Sequence, residues 1–383
     1  MNGDPTPDRL WRSDPPLSGE GKGRFILLCA GGTGGHLFPA EALAVVLEKR
    51  GAAVELATDA RAAQFKFPAR AMHLIPSATV RGRDPVSLAR TASLLALGSV
   101  KAWRLIGRIR PAAVVGFGGY PTVPPLLAAS LRGVPSVLHE QNGVMGRANR
   151  FLAARVTAIA TSFPSLTNLD PHLSAKVTFT GNPVRAQVIE AAAIPYAAPA
   201  AGAPLRLVVF GGSQGAHVMA EIVPAAVERL TPELRARLAI VQQARAEDLA
   251  AVQATYARLK VAAECAPFFS DLPRRIAQAH VVVSRSGAST VAELSAIGRP
   301  GILVPLPHAL DQDQFANAGV LAHAGGAIRI EQRDFTPERL AAEITDLAAD
   351  PARLARLAAA SKSAGTIDAA ERLADVVTRV AGI

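Results

Sequence analysis

Cysteine is nearly absent: Cys29 and Cys265 are the only two in 383 residues. Two thiols in apolar stretches make no disulfide framework, so the chain reads as one whose core is built without crosslinks and whose free thiols sit in a reducing compartment. Spaced Cys/His groups of the metal-binding kind are missing, so neither a bound metal nor a cofactor is expected. The glycine-rich segments carry neither a Walker Lys-Ser/Thr nor the dinucleotide fingerprint. No apolar run opens the chain. Residues 1–23 are rich in Pro, Gly and Asp, which predicts a disordered leader and excludes a signal peptide. The charge-free run between Arg110 and Arg132 is broken by Gly116, Gly118, Gly119, Pro121, Pro124 and Pro125. Such punctuation fits strand, loop and helix and excludes a membrane span. The chain is therefore expected to be cytoplasmic and at most surface-bound.

What is present points to an anionic partner. The formal net charge is +10, which suits a phosphorylated substrate, a membrane surface or nucleic acid. No helix-turn-helix, zinc or RNA-binding signature accompanies the charge, so nucleic acid is not expected. At roughly 150 residues per domain, the length allows two domains.

Phe25–Ala30 is a continuous apolar run followed by a Gly-rich turn, a helical pattern from Pro39 to Arg50, and a second strand at Ala53–Ala57. This is a βαβ unit of a parallel sheet covered on both faces. Further strands are predicted at Val114–Gly116, Ser136–Leu138, Thr157–Thr161 and Lys176–Phe179. The Ala/Pro-rich stretch 191–204 reads as a linker or crossing between domains. A second series then begins with the strand Leu205–Phe210, a Gly-rich turn and a helix to about Leu230. Strands at His280–Ser284 and Gly301–Leu306 flank a helix from about Thr290 to Ile297, ended by Gly298. Both halves thus begin with a strand and a glycine turn, Gly31-Gly32-Thr33-Gly34-Gly35 and Gly211-Gly212-Ser213-Gln214-Gly215. Two Rossmann-like domains would face each other across a cleft at the carboxyl ends of their strands.

Several polar groups fall at those strand ends. A Gly-rich strand-to-helix turn offers free N–H groups to a phosphate, although tight helix–strand packing also asks for glycine. His36 directly follows the first turn, either as a helix-start residue or as a general base. His139-Glu140-Gln141-Asn142 ends an apolar strand, as a capped loop or as a source of hydrogen bonds to a sugar. Ser284-Arg285-Ser286-Gly287-Ala288-Ser289 is another anion-friendly turn. Glu293 beyond it is either an ordinary helix acid or a carboxylate accepting two ribose hydroxyls.

Taken in order, Gly31–His36, Phe117-Gly118-Gly119-Tyr120, His139–Asn142, Gly181-Asn182-Pro183-Val184-Arg185, Gly211–Ala216 and Arg285–Ala288 resemble the MurG family. These are UDP-N-acetylglucosamine:undecaprenyl-diphospho-muramoylpentapeptide N-acetylglucosaminyltransferases, and the likeness spans about residues 24–383. The resemblance implies an α/β GT-B fold of two Rossmann-like, doubly wound domains. It implies an acceptor and membrane domain over 24–184, a UDP-GlcNAc domain over 185–364, and a C-terminal helix, about 365–383, packed back on the first. It places the donor against Ser213 and Gln214 at the diphosphate, Arg185 at the hinge, Phe269 at uracil and Glu293 at ribose. Ala288, Asp313, Gln314 and, from the opposite domain, Asn142 would meet the sugar. Thr33, Gly34 and Gly35 belong to the same set, on a turn suited to cradling the acceptor's diphosphate. The family's His-Gln-Ser/Thr-Gly loop reads Gln242-Gln243-Ala244-Arg245 in this chain.

The implied reaction is an inverting displacement at the anomeric carbon of GlcNAc by the C4 hydroxyl of a lipid-linked muramyl pentapeptide. His36 is the expected base, with Glu140 as runner-up or helper. The stretch from Arg81 to Arg110 carries seven Lys/Arg and one Asp. Leu88, Leu94, Leu95, Leu97, Trp103, Leu105 and Ile106 intersperse with Arg90, Lys101, Arg104 and Arg108 there. It reads as a surface anchor for anionic lipid or as an ordinary helix with a basic face. The resemblance favours the first, at the cytoplasmic face of the inner membrane, with other cell-wall synthesis proteins as partners. A UDP-GlcNAc 2-epimerase or a non-catalytic nucleotide-sugar scaffold would use the same fold.

Overall fold

A computed structural model describes residues 25–77, 85–200, 202–212, 215–307 and 309–383. The leader read at 1–23, the Arg81–Asp84 end of the basic stretch, and Ser213 and Gln214 lie outside the described residues.

Short apolar runs give two all-parallel sheets. The first holds β1 (Phe25–Cys29), β2 (Ala53–Thr58), β3 (Ala71–Leu74), β4 (Ala113–Gly116), β5 (Ser136–Glu140), β6 (Ala158–Thr161) and β7 (Val177–Phe179), in the order β3-β2-β1-β4-β5-β6-β7. The second holds β8 (Leu205–Phe210), β9 (Leu238–Gln243), β10 (Ala262–Ala266), β11 (Val281–Ser284), β12 (Gly301–Leu303) and β13 (Ala327–Arg329), in the order β10-β9-β8-β11-β12-β13. The helices are α1 (Gly34–Lys49), α2 (Pro85–Ile109), α3 (Val123–Leu131), α4 (Arg147–Ala153), α5 (Ala186–Ala192), α6 (His217–Arg229) and α7 (Pro232–Ala236), then α8 (Ala246–Arg258), α9 (Leu272–Gln278), α10 (Ala288–Ile297), α11 (Asp313–His323), α12 (Pro337–Ala349), α13 (Pro351–Ala364) and α14 (Ala369–Ala381).

Strand order reverses between β1 and β4 in one sheet and between β8 and β11 in the other, while every strand stays parallel. Helices diverging to opposite faces at such a switch point leave a crevice at the carboxyl ends of the strands. The Gly31 turn and the Phe117–Gly119 turn border the first crevice. The Gly211 turn and the Ser284–Gly287 turn border the second.

Three sequence expectations are corrected. Helix α1 starts at Gly34, five residues before Pro39, so His36 lies in its first turn. Pro39 has no N–H to give the Gly35 carbonyl four residues earlier, and Ser289 Oγ of the second body reaches that oxygen at 3.5 Å. Likewise α10 starts at Ala288 instead of Thr290. Finally, the stretch 191–204 does not bridge the bodies. Buried Arg299 donates to the Ile194 carbonyl at 2.9 Å and Tyr196 Oη donates to the His280 carbonyl at 3.2 Å, so this segment lies along the second body. The chain crosses between bodies at Thr180–Arg185 and returns between α13 and α14. The two crossings touch: Gly181 has φ +81, and a Cβ there would lie 2.6 Å from Thr366 Cβ.

Helix α14 packs on α1 and the first sheet, burying Leu373, Val376 and Val377 in the cluster that holds Leu43 and Val54. Arg50 at the end of α1 pairs with Glu371 and Asp375 at 2.6 and 2.7 Å. These ion pairs are half-exposed and count for little, so the apolar face carries the attachment. Leu373→Ala is expected to destabilise the protein by about 2–5 kcal/mol, whereas Arg50→Ala is expected to cost under about 1 kcal/mol. Urea unfolding of the two variants side by side checks this.

Candidate active site

At the first turn, β1 delivers Gly31 and Gly32 into α1. Thr33 is the N-cap residue by position, but its side chain makes no capping bond. Its hydroxyl and the first N–H groups of α1 are thereby left to a ligand. A Cβ on Gly35 would meet nothing within 4 Å, so there is room in front of the helix. His36 projects from the same turn with Nδ1 3.0 Å from Gln141 Oε1. A proton on Nδ1 donated to that oxygen leaves Nε2 as the lone pair, beside the Gly118–Gly119 backbone. Burial pushes the imidazole below its usual value; the bonds to Gln141 and to the Phe117 carbonyl oppose this in part.

The four residues ending β5 have four separate tasks. His139 is fully buried, lies 3.1 Å by Nε2 from the Gly181 carbonyl, and is pushed down to about 4 by burial. It stays neutral and ties the strand to the first crossing. Glu140 spends its carboxylate inside its own loop. Oε1 accepts the Asn142 N–H at 3.0 Å and Asn142 Nδ2 at 3.3 Å, while Oε2 accepts the Gly146 N–H at 3.0 Å and Asn149 Nδ2 at 2.6 Å. Burial pushes this carboxyl up, with those four donors opposing. Such an arrangement suits a loop organiser more than a proton acceptor. Gln141 turns to His36. Asn142 turns to the second body, where buried Asn317 of α11 donates to Asn142 Oδ1 at 3.0 Å and to the Ser286 carbonyl at 3.2 Å, and accepts the Gly143 N–H at 2.9 Å.

Arg147 extends the contact between the bodies by meeting Asp311 at 3.3 Å. Asp311 and Gln312 are consecutive non-glycine residues with φ +64 and +58. Strain of that kind, of order 1–3 kcal/mol each, persists where surrounding contacts hold it. Asp313 follows and caps the Gln314 N–H at 2.7 Å. Gln314 Oε1 accepts the Leu306 N–H at 3.1 Å, leaving its amide hydrogens for a ligand.

In the second body, Arg185 opens α5 at the first crossing. Its Nη2 lies 3.3 Å from Glu293 Oε1, and its guanidinium stacks 3.9 Å from the Phe38 ring of α1. Burial pushes the Glu293 carboxyl up, with Arg185 opposing. Ala288 begins α10 on the same turn. Phe269 follows β10, with Arg275 4.4 Å over its ring. Around the second glycine turn, Gly211 donates its N–H to Gln243 Oε1 at 3.1 Å, and Arg245 Nη2 reaches the Gly215 carbonyl at 3.4 Å. Gln242 is a core residue held by Tyr256 and the Met219 carbonyl. The divergent Gln242–Arg245 loop thus still supports the turn. Arg285 is buried and spent on the Val304 and Pro305 carbonyls and Gln332.

The structure therefore brings Thr33, Gly34, Gly35, His36, Glu140 and Asn142 together on one side, with Arg185, Ala288, Glu293, Asp313 and Gln314 on elements facing them. Phe269 sits at the far end, beyond β10. Sequence reasoning named Gln141 only as part of a polar run and missed its pairing with His36, and it missed Asn317 altogether, because their roles depend on partners 105 and 175 residues away.

Residues 26–161 match the model of the glycosyltransferase family 28 N-terminal domain, and residues 206–373 that of the family 28 C-terminal domain. The chain is 63% identical over 361 residues to a UDP-N-acetylglucosamine--N-acetylmuramyl-(pentapeptide) pyrophosphoryl-undecaprenol N-acetylglucosamine transferase of Rhodopseudomonas palustris (strain BisA53), covering 94% of this chain and 96% of that one. A relative of the same name from Nitrobacter winogradskyi is 61% identical over 359 residues, covering 93% and 98%. The crystal structure of Acinetobacter baumannii MurG superposes with a TM-score of 0.75 at 29% identity, over 93% of this chain and 99% of that chain. A putative UDP-N-acetylglucosamine 2-epimerase from Listeria monocytogenes shares the fold alone, at 15% identity and a TM-score of 0.63 over 93% and 96%. The chain belongs to glycosyltransferase family 28, within the GT-B-fold UDP-N-acetylglucosamine--N-acetylmuramyl-(pentapeptide) pyrophosphoryl-undecaprenol N-acetylglucosamine transferases.

Proposed function

We propose that this chain transfers GlcNAc from UDP-GlcNAc to the C4 hydroxyl of the muramyl sugar of undecaprenyl-diphospho-muramoylpentapeptide, with inversion at the anomeric carbon. The observation that carries the reading is the His36–Gln141 pair, which fixes an imidazole between the two turns of the first crevice and opposite the second body. In this reading the acceptor's diphosphate lies at the Gly31–Gly35 turn, and the donor lies on the second body. Glu293 takes the ribose hydroxyls, and the Phe269 backbone takes uracil. The second glycine turn, with Ser213 and Gln214, takes the diphosphate together with Arg185. Ala288, Asp313, Gln314 and Asn142 surround the sugar. His36 Nε2 accepts the proton of the attacking hydroxyl. The N-terminus of α6 stabilises the charge that develops on the leaving diphosphate. Glu140 acts by positioning Asn142.

The acceptor's lipid calls for a surface, and α2 supplies one. Leu97, Val100 and Trp103 are exposed at 58%, 49% and 46%, next to exposed Lys101, Arg104 and Arg108. Leu105 and Ile106, counted with the anchor from sequence, instead belong to the core. Arg132 stacks 3.7 Å over the Trp103 ring. Beside this face a groove of about 430 Å³ runs between α2, α3 and α4, lined by Leu95, Val123, Leu127 and Phe151. No helix among the described residues is long and apolar enough to cross a membrane. We place the chain peripherally, on the cytoplasmic face of the inner membrane, held by apolar insertion and by attraction to anionic lipid.

Wild type is expected to form labelled disaccharide-lipid from UDP-GlcNAc and a short-chain muramyl pentapeptide lipid. His36→Ala is expected to lose about 10²–10⁴-fold in turnover while still binding UDP-GlcNAc. Release of an epimerised sugar in place of the lipid product would sink the reading. Because burial lowers the His36 value, the base is free at neutral pH, and kcat/KM for the acceptor should fall only as pH drops below the ordinary histidine value of 6.5. Gln141→Ala removes a bond that raises that value. Its acid limb should move to still lower pH while its plateau drops through lost orientation, as pH–rate profiles would show.

Asn317→Ala removes all three bonds that join Asn142 and Gly143 to the Ser286 turn. It should lower kcat about 10- to 100-fold and increase the radius of gyration in solution scattering. Unchanged scattering would mean that the bodies are held by other contacts. Replacing Leu97, Val100 and Trp103 by Ser should weaken sedimentation with phosphatidylglycerol vesicles while sparing turnover of a detergent-soluble acceptor.

A further inference from the structure

We propose that Arg61 receives the diphosphate of the lipid-linked acceptor; the assignment rests on the reading that this acceptor docks at the first glycine turn. Arg61 lies just beyond the carboxyl end of β2, in a 3-10 turn over Ala60–Gln64. Because β2 runs parallel beside β1, that turn falls next to Gly31 and Gly32. A Cβ on Gly32 would lie 2.6 Å from Arg61 Cβ, so the two turns are in contact.

One carboxylate organises both turns. Asp59 Oδ1 accepts the Arg61 N–H at 2.9 Å and Arg61 Nε at 3.0 Å, and Oδ2 accepts Arg61 Nη2 at 2.6 Å and the Gly32 N–H at 3.3 Å. Burial pushes the Asp59 carboxyl up, but Arg61 and the Gly32 N–H outweigh it and leave the carboxyl below its usual range. Asp59 therefore stays ionised and clamps one edge of the guanidinium, while 54% of the Arg61 side chain remains exposed.

The clamped side chain is aimed at the crevice. The side-chain direction of Gly31 ends 3.8 Å from Arg61 Nη2, 3.5 Å from His36 Cδ2 and 3.4 Å from Pro121 Cγ. Arg61 thus shares the mouth of the first turn with His36 and the free N–H groups of α1. Arg61 keeps one edge beyond its Asp59 clamp, whereas Arg185 is held between Glu293 and Phe38 and Arg285 is buried on backbone carbonyls and Gln332. A planar fork with an outer edge of N–H donors matches two oxygens of a diphosphate. Holding it in place beforehand lowers the ordering cost of binding.

The test compares acceptors bearing a diphosphate and a monophosphate between lipid and sugar. Arg61→Ala should raise KM for the diphosphate acceptor about 10- to 100-fold and leave KM for UDP-GlcNAc within about two-fold. It should also erase most of the wild-type preference for diphosphate over monophosphate, which a merely structural role would not do. Arg61→Lys keeps the charge without the fork and should fall between; it also carries the test should Arg61→Ala fail to fold. Inorganic pyrophosphate should compete with the acceptor in wild type and lose potency in Arg61→Ala. Equal losses on both acceptors, or an unchanged acceptor KM, would overturn the assignment while leaving the transfer reading intact. A wild type that makes no disaccharide-lipid overturns the transfer reading and the assignment together.

Discussion

A carboxylate with 2% of its residue surface exposed has to find donors or neutralise, because the effective cost of burying an unpaired charge is several kcal/mol. Glu140 finds four, all within the ten residues that follow it. Those bonds bend the chain after β5 into one loop shape, and much of the cleft follows from that shape. Gln141 is left facing His36, and Asn142 with Gly143 is left facing Asn317. Loss of the Glu140 carboxylate would therefore disturb Gln141 beside His36, Asn142 and the contact between bodies together.

The same economy appears where the bodies meet. A parallel sheet covered on both faces leaves only its strand ends for chemistry. Each body therefore presents turns, and among the described residues the two sets of turns meet through Asn317, the Arg147–Asp311 pair, Ser289 on the Gly35 carbonyl and Arg185 between Phe38 and Glu293. Helix α11 carries Asn317 near its start, one turn after Asp313 and Gln314. The contact between bodies and the proposed sugar-binding side chains thus sit on a single short element. The crossings at Gly181 and Thr366 touch.

Much of this was legible in the sequence because it rests on local rules. Most of the apolar runs read as strands became buried parallel strands, and the glycine turns fell at the switch points, whereas β3, β9, β10 and β13 and the exposure of β7 were not foreseen. Other features were hidden for identifiable reasons. The start of α1 was masked by Pro39, which reads as a helix start but sits in the second turn. The Ala/Pro stretch after α5 looked like a linker because sequence does not show that Arg299, about a hundred residues later, captures its carbonyls. The tetrad ending β5 read as one polar cluster, and only three-dimensional partners divide it into a tie to the first crossing, a loop organiser, a partner of His36 and a contact between bodies. Arg61 carried no signal at all. An arginine three residues past a strand is ordinary until Asp59 and Gly32 are seen to fix it.

Burial acts on the titratable groups of the cleft in a consistent direction. It pushes His36 and His139 down and Glu140 and Glu293 up, in each case toward the neutral form. Arginine escapes this drift because its guanidinium does not deprotonate in proteins. The positive charge left at the strand ends is therefore supplied by arginine and by the helix N-termini of α1 and α6, with the ionised Asp59 carboxylate clamped to Arg61. In the proposed reading such a cleft would take two diphosphates, one on each body, with the His36 imidazole, lowered by burial, between them. In the proposed reaction, proton transfer to His36 would place a cation beside two phosphate-bearing substrates, whose anions would stabilise it, so that step would gain from the same field that binds the reactants.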